Sequence, residues 1–161
     1  MVNSANIEKD FDWVASHSQD AHVANIRDQM ALLALQGPAS EKVLQAAGLD
    51  LSELKRFHLI TTKLFDVDCL LARTGYTGED GFEVILEAEK GPSLWDQLTA
   101  KGMSSCGLGA RDVLRLEAAL PLHGSDIDLT TNPLEAGLGR FVKLDKDFVG
   151  AELLRKQNET G

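Results

Sequence analysis

Residues 73 to 87 read Arg-Thr-Gly-Tyr-Thr-Gly-Glu-Asp-Gly-Phe-Glu-Val-Ile-Leu-Glu, a glycine-rich turn that runs straight into a strict apolar alternation. Glycine reaches positive φ and leaves room for close approach, so Gly75, Gly78 and Gly81 permit a tightly folded turn around Tyr76. Beyond the turn, a period of two puts Phe82, Val84 and Leu86 on one side of a strand and Glu83, Ile85 and Glu87 on the other. A segment built this way can set an aromatic face and a carboxylate against a flat ligand.

Working outward, the chain alternates helices with strands. After a cap at Asn3 or Ser4, Ile7, Phe11 and Val14 recur at helical spacing and predict an amphipathic helix that fades by His17 to Asp20. Met30 to Leu35 is a short apolar run stopped at Gly37-Pro38, which favours a buried strand. Pro38 suits the first turn of a helix ending near Ala47 and Gly48, and a second helical piece is expected from Ser52. Thr61 to Phe65 and Asp68 to Arg73 read as a hairpin about Asp66-Val67. Pro92 opens a helix with Leu94, Trp95 and Leu98 on one face and Lys101-Gly102 at its end. The best-patterned helix runs from about Gly109 to Leu120, with Val113, Leu114, Ala118 and Leu120 expected inward and Pro121 as its stop. Asn132-Pro133 marks a loop, and a last helix is expected from Val149 to Gln157. Strands and helices mix without regular βαβ units, and no Gly-x-Gly-x-x-Gly follows a strand. The expected class is therefore α+β, with mixed or antiparallel sheets and packed helices.

Composition narrows the function. At 161 residues, 43% hydrophobic and 25% charged, the chain supports one core, so a single domain is the default expectation. A formal charge of −9 works against binding a phosphate backbone, so nucleic acid is not an expected partner. Cys69 and Cys106 lack Cys-x-x-Cys spacing and a nearby histidine, so both read as reduced structural thiols with neither a metal site nor a disulfide. No apolar run approaches the ~18 residues of a membrane span. Met1 to Asp10 lacks a basic segment followed by an apolar one, which points to the cytoplasm, or to the mitochondrial matrix after loss of a transit peptide.

Three groups of residues stand out chemically. Glu83 sits in an apolar alternation, so it is either paired or ligand-engaged there or shares an exposed strand face with Glu87. Tyr76, the chain's single tyrosine, could stack on a planar ligand or cap the edge of the core. Arg111 and Arg115 lie one turn apart near a helix amino terminus, where cations are disfavoured; Asp112 and Glu117 offer local ion pairs, and an arginine fork also suits a ligand carboxylate. Cys106-Gly107-Leu108-Gly109 lacks the lysine of a phosphate loop, His58 and His123 read as surface or cap residues, and the aspartates at 126, 128, 145 and 147 lack calcium-loop spacing.

Together, Ala-Leu-Leu-Ala-Leu-Gln-Gly-Pro (31 to 38), the segment from 73 to 84, Cys-Gly-Leu-Gly-Ala-Arg-Asp-Val-Leu-Arg-Leu-Glu-Ala (106 to 118) and Lys-Asp-Phe-Val-Gly (146 to 150) resemble the glycine cleavage system T protein, the aminomethyltransferase family. The likeness runs in order over nearly the whole chain. It implies tetrahydrofolate as cofactor and a lipoyl-bearing H protein as partner, with an aminomethyl carbon passed from the lipoyl arm to folate and ammonia released. It also implies folate contacts at Glu83, Tyr76, Arg111 and Asn3, with Glu83 facing the paired donors of the pterin edge and Arg115 supporting the helix.

In that family an acidic pair in a Gly-Gly-(Ile/Val)-Asp-Asp setting, which holds the catalytic aspartate, precedes the segment matching Met1 to Asp10. A barrel domain follows the segment matching Phe148 to Gly150. The resemblance accordingly implies a partial folate-binding domain over 1–161, with no catalytic residue of its own, negligible activity alone, and dimerisation or strand exchange through exposed sheet edges. The folate domain of a sarcosine or dimethylglycine dehydrogenase, and a non-catalytic folate-binding module, are the alternative readings.

Overall fold

Residues 2–160 are described by a computed structural model, and they fall into two compact units, one running to Leu120 and the other from Pro121. The first is organised by a four-stranded sheet of β1 (Met30–Gln36), β2 (Leu59–Leu64), β3 (Val67–Ala72) and β4 (Gly81–Glu87), in the order β1-β4-β3-β2 with antiparallel neighbours. Alternation in β4 decides which way the sheet faces. Phe82, Val84 and Leu86 are fully buried, and the register brings Leu35, Leu33 and Ala31 of β1 opposite them. Leu71 and Cys69 of β3 face the same side. Full burial of a residue such as Phe82 contributes about 1.5–3 kcal/mol, so this face carries most of the unit's stability.

Two of the unit's helices pack on that face. α1 (Ile7–His17) follows a 3-10 turn at Ser4–Asn6; α2 (Ser40–Ala46) and α3 (Gly91–Ala100) supply Leu44, Leu94 and Leu98 to the core. Pro92 occupies the first turn of α3, where its missing N–H costs nothing, and Gly102 leaves the helix at a φ of 95°. α4 (Leu108–Glu117) closes the unit. In the second unit, Asn132 Oδ1 accepts from the Leu134 and Glu135 amides in the expected loop, and α5 (Ala151–Thr160) follows. Arg155 fastens α5 by donating to the carbonyls of Leu144 and Lys146.

Several local expectations are corrected. The hairpin turn is Phe65-Asp66, one residue early, because Val67 already pairs with Leu64; Phe65 and Asp66 take φ of 49° and 64°, the handedness a two-residue hairpin demands. Ser52 starts no helix. There Asp50 accepts from the Ser52 amide to make a turn, which delivers Leu51 and Leu54 to the core without a helical stripe. Trp95 lies outside the core, 44% exposed, because one turn of α3 carries only Leu94 and Leu98 inward. The largest correction concerns α4: Val113 and Leu114 are exposed, and its one buried residue is Arg115. α1 likewise buries no residue, so its apolar stripe shapes the helix without contributing to the core.

Candidate functional site

The second face of the sheet is where chemistry is available. Period two places Leu32, Ala34 and Gln36 of β1, Glu83 and Ile85 of β4, and Leu70 and Ala72 of β3 on this side, opposite the core. Glu83 is half-buried, and its register partners are Ala34 on one side and Ala72 on the other. Two methyl-sized neighbours leave space directly beside the carboxylate. Among the described residues Glu83 has no hydrogen-bonding or ionic partner, so its acceptor capacity is unspent.

The loop from Arg73 to Asp80 enters and leaves the sheet beside this face, and its two ends are tied together. Arg73 donates from Nη2 to Asp80 Oδ2 at 2.6 Å and from Nε to Asp80 Oδ1 at 3.1 Å, a two-pronged pair. The same Nη2 reaches Glu41 of α2 at 2.8 Å, Nη1 donates to the Leu54 carbonyl at 3.2 Å, and the guanidinium lies 5.3 Å from the Phe82 ring centroid. These hydrogen bonds, and then the opposite charge, hold Asp80 below the usual carboxylate range and raise Arg73 further. Within the loop only Gly78 uses the left-handed region, at a φ of 80°. A Cβ there would come within 2.6 Å of Ala118 Cβ, so the loop rests on the end of α4 with no room for a side chain.

Tyr76 projects from this loop toward α4. Its hydroxyl lies 3.5 Å from the Leu120 carbonyl, and the Arg111 guanidinium stands over its ring at 4.8 Å from the centroid. Arg111 is exposed and pairs with no carboxylate among the described residues. Arg115, one turn on, is 5% exposed; it donates to Asp112 at 2.8 Å and to the Leu120 carbonyl at 3.3 Å. The two arginines therefore differ in what they touch: Arg115 braces the helix end, and the exposed Arg111 guanidinium lies over the Tyr76 ring.

Arg111 also lines a cleft of about 480 Å³ between β1, α3 and α4, walled by Trp95, Met103, Leu108 and Leu114 and carrying Cys106 at its rim. Glu83, Tyr76 and Asn3 are outside this lining. Asn3 is exposed at the amino end, where its Oδ1 accepts from the Ala5 amide at 3.0 Å as the cap of the 3-10 turn. The structure thus joins Tyr76 to Arg111, sets Glu83 on the open sheet face that the loop flanks, and gives Asn3 a capping role. No group of three or more His, Cys, Asp or Glu among the described residues is placed to hold a metal ion.

A residue that sequence reasoning passed over is Gln36. Its Nε2 donates to the Thr74 carbonyl at 3.3 Å and the Phe82 carbonyl at 3.1 Å, while its Oε1 accepts from the Thr77 hydroxyl at 3.5 Å. The signal was present: Gln36 is the polar end of an apolar strand and shares the parity of Leu32 and Ala34.

With this geometry in hand, comparison with known proteins is decisive. A profile of the GCVT N-terminal domain matches residues 1–146. This chain belongs to the GCVT N-terminal domain family. It is 46% identical to an aminomethyltransferase of Pseudothermotoga lettingae over all of its own length and 46% of that protein, and 50% identical to one from Thermotoga maritima over 99% of its length and 46% of that protein. A crystal structure of the glycine cleavage system aminomethyltransferase T from Bartonella henselae superposes with a TM-score of 0.87 at 35% identity, covering 99% of this chain and 45% of that one. The chain spans about half the length of the curated relatives it matches. The α+β GCVT fold expected from the sequence is the fold found.

Proposed function

We propose that this chain forms the tetrahydrofolate-binding part of an aminomethyltransferase of the glycine cleavage system. The observation that carries the reading is Glu83: an unpartnered carboxylate on an open sheet face, flanked by Ala34 and Ala72 in register. A reduced pterin presents a ring N–H beside an exocyclic amino group, and a carboxylate is the two-acceptor partner that matches both. The residues present fit that ligand, since the space beside Glu83 is bounded by small side chains and its acceptors are unspent. Tyr76 supplies an aromatic wall, and Arg111, with its charge exposed, receives an anionic group of the same ligand. Asn3 is carried as a fourth contact. Bound tetrahydrofolate supplies two nitrogens that accept the one-carbon unit as a bridge; this chain's residues hold and orient the ring.

The donor of that carbon in this reading is the lipoyl-bearing H protein. For the isolated chain we infer dimerisation or strand exchange through the sheet edges, β1 and β2. Elution as monomer only in size-exclusion chromatography refutes that inference.

Calorimetric titration of tetrahydrofolate into the chain and into Glu83→Gln tests the central reading. Gln keeps the shape but replaces one acceptor with a donor, so affinity is expected to fall by about 1.5–3 kcal/mol, roughly 10- to 150-fold. Equal affinity in the two proteins removes Glu83 from the site.

A further inference from the structure

We infer that Gln36 is a positioning residue for the proposed folate site, anchoring the loop that carries Tyr76 to the strand that carries Glu83. The inference rests on the folate reading for its functional consequence, and on geometry alone for the anchoring.

Gln36 ends β1 on the same sheet face as Glu83, with Gly81 as its register partner. One amide group spans both parts of the site. Nε2 donates to the carbonyl of Phe82, the residue before Glu83, and to the carbonyl of Thr74, two residues before Tyr76. Oε1 accepts from Thr77, immediately after Tyr76. An amide is the side-chain group that donates twice and accepts at once on this reach; a carboxylate would face two carbonyls with no proton to offer.

The glycines around it complete the argument. Neither Gly75 nor Gly81 lies in the left-handed region, so neither is required by backbone conformation. A Cβ built on Gly75 would overlap Gln36 Oε1, and one on Gly81 would approach Oε1 to 2.5 Å and Cδ to 2.6 Å. Both glycines therefore make room for the Gln36 amide. Gly78 stands apart, since its constraint comes from Ala118 and from its own positive φ.

Because Tyr76 is the chain's only tyrosine, biosynthetic 3-fluorotyrosine gives one ¹⁹F resonance that reports on this loop. The variants are Gln36→Ala, the near-isosteric Gln36→Met, Gly75→Ala, and Gln36→Ala with Gly75→Ala combined; circular dichroism and melting select those that fold. In Gln36→Met and Gln36→Ala the resonance is expected to move toward that of the free amino acid and broaden. Gly75→Ala displaces the amide and is expected to do the same. Combining the two adds little, because both remove the same three hydrogen bonds. Tetrahydrofolate affinity, measured by calorimetry on the same proteins, is expected to drop roughly tenfold in each.

An unmoved resonance in folded Gln36→Met, or additive effects of Gln36→Ala and Gly75→Ala, overturns the anchoring. Unchanged affinity in Gln36→Met where Glu83→Gln has lost it overturns the role of Gln36 toward the ligand and leaves the folate reading standing. Failure of the wild-type chain to bind tetrahydrofolate, with the ¹⁹F responses as expected, overturns the folate reading and supports the anchoring of Tyr76 by Gln36.

Discussion

The guanidinium of Arg111 stands over the ring of Tyr76, 4.8 Å from its centroid, and so joins α4 to the glycine-rich loop through a charge that no carboxylate among the described residues neutralises. An exposed contact of this kind contributes only about 0.5–1 kcal/mol to the fold. Its larger effect is expected on ligand binding, where an anion would gain a charge-assisted partner. Arg111→Ala is predicted to lower tetrahydrofolate affinity about tenfold while shifting the thermal midpoint by a few degrees at most. Arg111→Lys keeps the charge but loses the planar fork, so its affinity falls between the two. Calorimetry alongside melting curves checks this; an affinity unchanged in Arg111→Ala removes the residue from the site.

Much of this arrangement was legible in the sequence, and the exceptions share a cause. β4 was readable because its period of two coincides with a real difference between its faces, Phe82, Val84 and Leu86 in and Glu83, Ile85 and Glu87 out. α4 has a helical period of equal clarity, yet Val113 and Leu114 lie outward and Arg115 inward. Periodicity reports that an amphipathic helix exists; it does not report what covers the apolar stripe. Gln36 was hidden for a different reason. Its partners, Thr74, Thr77 and Phe82, lie on other elements, and only the antiparallel register of β1 with β4 brings them within reach.

The Arg73–Asp80 pair gives the fold a specific acid sensitivity. Asp80 is held below the usual carboxylate range, first by the hydrogen bonds from Arg73 and also by its charge. A carboxylate depressed in the folded state contributes stability that is complete above its unfolded pKa of about 3.9 and is lost as pH falls through the folded value. The gap in melting temperature between wild type and Asp80→Asn is therefore predicted to be widest above about pH 5 and to shrink as pH falls below the unfolded value and through the lower folded one. Arg73 keeps Glu41 as a partner in the variant, so the guanidinium is not stranded. Scanning calorimetry from acid to neutral pH measures the gap; one that stays constant with pH disproves the linkage.

The two thiols differ in access. Cys69 is 5% exposed in β3, and burial pushes its pKa up, which suppresses the reactive thiolate. Cys106 is exposed at the rim of the cleft beside α4. Under native conditions a disulfide reagent is predicted to modify Cys106 promptly and Cys69 only on the timescale of unfolding. Peptide mapping distinguishes the two. Equal rates at both sites would mean that β3 opens readily and that the core does not have the packing described.

Leu70 and Leu71 are neighbours on β3 that point to opposite faces, and they separate packing from binding. Leu71 is fully buried in the core, whereas Leu70 is 37% exposed beside Ile85 on the face that carries Glu83. Truncating Leu71 to Ala removes transfer energy and leaves a cavity in a close-packed interior, a loss of about 2–5 kcal/mol. Against a typical total stability of about 5–15 kcal/mol, that is a substantial fraction. Leu70→Ala removes side-chain atoms that already meet solvent, so a cost below about 1.5 kcal/mol is predicted. Its effect on tetrahydrofolate affinity is expected to be the larger one, because the side chain belongs to the floor on which the ring would lie. Urea titrations give the stabilities and calorimetry the affinities. If Leu70→Ala destabilises as strongly as Leu71→Ala, the second face is packed in solution and is not open to a ligand.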